Sequence, residues 1–402
     1  MNKFKLSPGS RVLFQFSKTV RQFSCSAVSR QESALLQTPL HSLHLAHGAT
    51  MAPFAGYSMP IIYAGQTHIE SHNWVRSNAG LFDVSHMVQH FFRGPGSTAF
   101  LESVTPADLK GLQPSCSTLS TFLLPNGGIM DDTIITKLSE SDYFVVTNAG
   151  RRAEDLSYLK EHLVDEDVTH TVLDGWGILA LQGPRAAVVL QRLTSFDLSK
   201  LKFGHVAYVP LDNGEYLVTR SGYTGEDGFE ISVPPSQTLS IANLLLNQSD
   251  SFVKLAGLAA RDSLRLEAGM CLYGHDLDES TTPVQAGLSW IIGKRRRAEG
   301  GFVGYDAIAT ELENGTARRR VGFTATGPPA REGSKVFDLT GENHIGTITS
   351  GSPSPTLKQN ISMGYIAKGY FKSGTKVLIE VRSKMREAVV TKMPFVPTKY
   401  YR

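Results

Sequence analysis

Three stretches put charged side chains where local geometry limits their freedom. In GYTGEDGFEISV, residues 222–233, Gly222, Gly225 and Gly228 crowd a short turn. Phe229, Ile231 and Val233 then alternate toward one side of a strand, and Glu230 opens the other face. A carboxylate directly after so tight a turn cannot sprawl into solvent as a helix-surface glutamate can. In GGIMDDTIITK, residues 127–137, Asp131 and Asp132 come just before the strand-like TIIT. Adjacent strand residues point to opposite faces, so one acid can face solvent and the other inward; two acids decorating a hairpin turn is the plainer alternative. In AARDSLRLEAG, residues 259–269, Arg261 falls in the first turn of a short helix closed by Gly269. The helix dipole disfavours a cation there by ~0.3–1 kcal/mol. Arg261 therefore either answers a carboxylate such as Glu267, or binds an anion or a polar ring edge.

Other patterns carry less chemistry. His86 and His90 stand four apart, but LFDVSHMVQHFF reads as a strand and nothing completes a metal set, so no metal is expected. His41, His44 and His47 fare no better. The segment from Gly287 to Lys294 has the wrong spacing for a phosphate loop, with Arg295 where a magnesium-binding Ser or Thr belongs. There is no Gly-x-Ser-x-Gly elbow.

The elements that must hold these residues alternate between strands and helices. YFVVTNAG (143–150) reads as a strand, RRAEDLSYLKEHL (151–163) as an amphipathic helix, and WGILALQGP (176–184) as a strand leading into the helix RAAVVLQRL. Hairpins and the lack of a Gly-x-Gly-x-x-Gly turn favour α+β with antiparallel sheets over a doubly wound fold. Residues 293–315 read as a linker with one helix. The last part, 316–402, breaks into short strands separated by Gly, Pro and Ser, the pattern of a small all-β barrel. The runs Lys294–Arg297 and Arg318–Arg320 flank the linker; they are either solvated surface or guides for an acidic partner.

Composition sets the outer limits. With 402 residues and 41% hydrophobic content, the chain can bury several cores. No apolar run approaches the ~20 residues of a membrane span. Six of the 40 Lys and Arg lie in residues 1–31, which hold no Asp or Glu, leaving 34 against 37 and a net of −3. The basic, Ser-rich, acid-free start is that of a mitochondrial transit peptide, and the mildly acidic remainder argues against a nucleic acid partner. Cys25, Cys116 and Cys271 make neither a disulfide framework nor a zinc site.

Taken in order, GGIMDDTIITK, NAGRRAEDL, GYTGEDGFEISV, AGLAARDSLRLEAGMCLYGHD, SGSPSPTLKQNISMGY and KMPFVPTKYY resemble the T-proteins of the glycine cleavage system, the aminomethyltransferases. The similarity runs from about Thr38 to Tyr401. It implies a folate-binding body of two mixed α+β domains over 38–292, then the linker and the C-terminal barrel. It also implies transfer of the one-carbon unit from the S-aminomethyldihydrolipoyl arm of the H-protein to tetrahydrofolate in the mitochondrial matrix, with no metal. Asp132 matches the family's catalytic aspartate. Glu230, Arg261, Tyr400 and Asn148 match its ligand contacts, and Arg320 matches a position near the channel mouth. A pterin edge offers two parallel N–H donors that one fixed carboxylate, Glu230, can accept together, while Tyr223 can pack a ring against the ligand.

Overall fold

The computed structural model describes residues 34–164, 167–247 and 251–402. The basic segment 1–31 and Cys25 lie outside the described residues.

Two large sheets and a barrel carry the described residues, with a two-stranded hairpin, Thr50–Phe54 and Tyr57–Ile62, beside them. The first sheet has five antiparallel strands in the order Cys116–Leu123, Ile129–Lys137, Asp142–Thr147, Val88–Arg93, Thr169–Val172. Its second strand begins two residues before the acid pair, straight out of the turn at Gly127 and Gly128. The second sheet runs Val206–Leu211, Gly214–Thr219, Gly228–Val233, Gly177–Gln182, Ala79–Asp83, Val253–Leu255. Only its last pairing is parallel. The mixed, largely antiparallel architecture is the α+β class that the hairpins imply.

Alternation in the second sheet decides which way Glu230 points. Phe229, Ile231 and Val233 are fully buried in the core under the helices Ala186–Gln191 and Thr238–Leu246. Glu230 sits on the opposite face, paired with Ala180 on one side and Thr219 on the other. Ala180 packs with Ala260 and Leu264 of the helix Leu258–Glu267. That helix therefore covers the face from which Glu230 projects, and it carries Arg261 in its first turn. Its start is set by Gly257, where a Cβ would stand 2.2 Å from the Ile61 carbonyl oxygen.

The C-terminal strands close into a six-stranded barrel, Arg318–Ala325, Gln359–Ala367, His344–Ser354, Lys335–Phe337, Lys376–Val381, Lys384–Thr391, with the last pairing back to the first. Phe323, Val336, Ile348, Ile366 and Ile379 fill it.

Between sheet and barrel the structure has two helices, Lys294–Glu299 and Tyr305–Asn314, where one was expected; Gly300 and Gly301 interrupt what would have been a continuous run. Lys294 and Arg297 of the basic run there are exposed, but the two residues between them are not simply solvated. Arg295 pairs with Glu102, Asp108 and Glu299, and the buried Arg296 donates to the Glu102 and Gly301 carbonyls.

Candidate active site

The acid pair sits on an interior strand of its sheet. Asp131 is 0% exposed, whereas Asp132, turned to the opposite face, is only half-buried, in line with the alternation along the strand. Asn148, just past the neighbouring strand, ties them together. Its backbone N–H donates to Asp131 Oδ2 at 2.9 Å. Its side-chain amide donates to Asp131 Oδ1 and Asp132 Oδ1, each at 2.9 Å, and to the Asp132 carbonyl at 3.1 Å. The amide nitrogen of Asn148 is thus committed to the acids, and its carbonyl oxygen is what remains for a ligand.

Burial raises the Asp132 carboxyl to about 6, against the pull of the Asn148 amide. Asp131 is pushed well above the ordinary carboxylate range by burial, then by the charges of Asp155 and Asp132. Asp155, in the first turn of the helix Arg152–His162, is 0% exposed and burial lifts it to about 7. The sequence offered no hint of Asp155. An acid in a helix's first turn is the commonest surface decoration, and only the docking of that helix against the sheet buries it.

Opposite the acids, Glu230 accepts a hydrogen bond from Ser221 at 2.7 Å. The turn that presents it is pinned from below by Gln182, which donates to the Ser221 carbonyl and accepts from Thr224. A Cβ on Gly222 would overlap Gln182 Oε1 at 1.8 Å, which is why this turn needs glycine. Arg261 lies over the Tyr223 ring at 4.5 Å, and among the described residues no carboxylate reaches it within 4 Å. Glu267, the structural partner considered for it, is instead taken by Arg76 and His72. Burial lowers the Arg261 guanidinium, a charge held deep without a direct counter-ion. The Tyr223 hydroxyl donates to the Cys271 carbonyl and leaves its ring face to Arg261.

Asp132, Tyr223 and Arg261 each keep part of their surface accessible. The charge of Asp132 is felt at Tyr223, which links the two halves of the site. His86 belongs here too. Its Nδ1 has no partner, and burial, then the Arg261 charge, hold it down at about 4, so it is neutral. His90, four residues on, bonds His170 and Thr147 instead, so the two histidines do not share ligands.

The tail reaches the same turn. Lys399 N–H donates to the Gly225 carbonyl, and Tyr400 stacks on Phe203 with centroids 3.9 Å apart. The Tyr400 hydroxyl is buried without a partner, and burial pushes it up to about 12. Arg320 departs from the channel-mouth expectation. It is 7% exposed and donates to the Ala286 and Gly269 carbonyls and toward the Met363 sulfur. Alternation along the barrel strand puts it on the face opposite the barrel-core residues Val321 and Phe323, where the body covers it, while Arg319 beside it is exposed.

Comparison with known proteins agrees along most of the chain. Residues 40–296 match the family described as the GCVT N-terminal domain, and residues 318–397 match the glycine cleavage T-protein C-terminal barrel domain. A protein of Schizosaccharomyces pombe named probable aminomethyltransferase, mitochondrial, is 52% identical over 95% of this chain and 100% of its own length. The mitochondrial aminomethyltransferase of Pisum sativum is 50% identical, over 92% of each chain. The crystal structure of glycine cleavage system aminomethyltransferase T from Bartonella henselae superposes with a TM-score of 0.86 at 39% identity, covering 92% of this chain and 100% of that one. The fold, the two matched regions and these identities together make the chain a member of the glycine cleavage T-protein family.

Proposed function

We propose that the chain is the mitochondrial aminomethyltransferase of the glycine cleavage system, with tetrahydrofolate as acceptor and a lipoylated H-protein as donor. The body over 38–292 supplies Asp132, Asn148, Tyr223, Glu230 and Arg261, and the C-terminal part over 316–402 supplies Tyr400. In the reaction, the aminomethyl carbon on the lipoyl sulfur sheds its amine and bridges N5 and N10 of the folate. Those two nitrogens lose one proton each. One ends on the departing ammonia and the other on the sulfur, so the step needs no net proton, oxidant or reductant.

The chemistry needs a group that takes a proton and returns it within one site. Asp132 suits that task because burial has brought its carboxyl to about 6, close to the working pH. Its ionised form also stabilises the iminium-like charge that develops as the amine departs. Glu230 takes the two N–H donors of the pterin edge, fixed by its strand and by Ser221. Arg261, a buried cation without a direct carboxylate partner, answers a polar or anionic edge of the ligand. The unpartnered Tyr400 hydroxyl and His86 Nδ1 supply further polar contacts.

The observation that carries this reading is a tuned carboxyl and an unpaired guanidinium acting on the same residue, Tyr223. The test is tetrahydrofolate-dependent ammonia release from H-protein carrying an aminomethylated lipoyl arm. Release that is independent of folate, or absent, would overturn it.

A further inference from the structure

Asp155 is a buried acid beside the site that the transfer does not use. It is 0% exposed, and neither carboxylate oxygen has a hydrogen-bond partner. Two groups stand against it, the Asp131 carboxyl and the Thr147 hydroxyl. No cation closes the gap. Arg151, the positive charge acting on it, is occupied by Glu279, Glu154 and the Met130 carbonyl. Glu154 adds further negative charge. Asp131 also accepts from Asn148 and feels the Asp132 charge, and its own charge is felt at Tyr273. The Thr147 hydroxyl also meets His90 Nε2 at 3.2 Å, and His90 in turn meets His170.

Two fully buried carboxylates in contact, with no cation between them, repel each other strongly if both are ionised, and one proton held between them removes that repulsion. We propose that Asp155 is a positioning residue for the transfer reaction, sharing one proton with Asp131. The pair then bears a single charge. Asp131 keeps its two bonds from Asn148, and the Asn148 amide keeps its grip on Asp132 Oδ1. Asp132 is thereby held with Oδ2 turned to the substrate and with one neighbouring negative charge rather than two. The proton titrates with the pair as a unit. The catalytic part of the proposal rests on the aminomethyltransferase reading; the shared proton does not.

The experiment compares the full-length protein with Asp155→Asn and Asp155→Val. Infrared spectra of the ligand-free proteins are taken at about pH 8, where Asp132 is ionised. The wild type should show the C=O band of a buried protonated carboxyl, shifted in D2O, and both variants should lack it. An asparagine amide can replace the shared proton as donor to Asp131, whereas valine cannot. In single-turnover ammonia release Asp155→Asn should fall only about 3-fold and Asp155→Val about 10- to 100-fold, with KM for folate unchanged in both, the scale of a displaced catalytic group. An unchanged band in Asp155→Asn overturns the shared proton. Equal rate losses in the two variants overturn the positioning role, as does a loss beyond 100-fold in Asp155→Asn if the valine variant does not fold. A wild type with the band but no folate-dependent release overturns the functional reading and leaves the pair standing.

Discussion

At Asp132, burial sets the charge state and Asn148 sets the direction. A carboxyl raised to about 6 is mostly ionised at neutral pH and gains its proton as pH falls through 6. Single-turnover transfer should therefore decline on the acid side with an apparent pKa near that value. Asp132→Asn, which cannot exchange a proton, should lower the rate by ~10²-fold or more and abolish that acid limb. Folate affinity should change much less, since Glu230 holds the pterin edge. Glu230 gives the complementary case. Glu230→Gln keeps the shape but turns one acceptor oxygen into a donor facing a pterin donor. Affinity for a folate analogue should drop by about 1.5–3 kcal/mol in isothermal titration, with the melting temperature nearly unchanged. Unchanged affinity would reduce Glu230 to a partner of Ser221.

Two elements aim these side chains, and both rely on glycine at a close approach. The helix Leu258–Glu267 starts at Gly257, wedged against the Ile61 and Pro60 carbonyls. Gly257→Ala would drive a methyl into that backbone, which cannot yield as a side-chain tip can. The helix start must shift and carry Arg261 with it. The expected cost is about 1–3 kcal/mol in a denaturant melt, together with weaker folate binding, since overpacking displaces what it touches. A variant that lost stability but bound folate normally would show that the position of Arg261 does not depend on this contact.

Across the whole molecule, Glu267 joins the body to the barrel and the tail. Its carboxylate accepts from Arg76 and lies 3.3 Å from His72 Nε2 in the body. From the barrel it accepts Ser354 and Thr356, and its backbone carbonyl takes the Phe395 and Val396 N–H groups of the tail. Burial works against the charge, but His72, Ser354 and Arg76 together bring Glu267 from 4.5 down to about 2. A depressed carboxylate stabilises the fold fully above its unfolded value and loses that contribution as pH falls toward its folded value. The link should thus supply about 3 kcal/mol above pH 4.5 and fade between 4.5 and about 2. Urea unfolding of wild type and Glu267→Gln across that range checks it: the gap between them should narrow as the solution is acidified. A gap that stayed constant would assign the loss to packing rather than to charge.

How much of this was readable in advance follows from the range of the forces involved. The period-two pattern of Phe229, Ile231 and Val233 dictated that Glu230 points away from the core. The unfavourable first-turn place of Arg261 marked it as a cation with a task, because dipole and side-chain alternation act within a few residues. The short strands of the C-terminal part likewise implied a barrel, and the ordered motifs implied the family. Burial of particular groups was a different matter. Asp155 reads as a surface acid, Arg320 as part of a basic run, His86 as one of two histidines with no metal set to complete, and Asn148 as the end of a strand with no visible tie to the acids. Each was decided by an element distant in sequence: the helix laid over the first sheet, the barrel closed against Ala286, the helix bearing Arg261 set beside His86, and the neighbouring strand that delivers Asn148 to both acids. Local sequence fixes the face a side chain takes; only the tertiary packing decides what covers that face, and with it which carboxyls hold a proton.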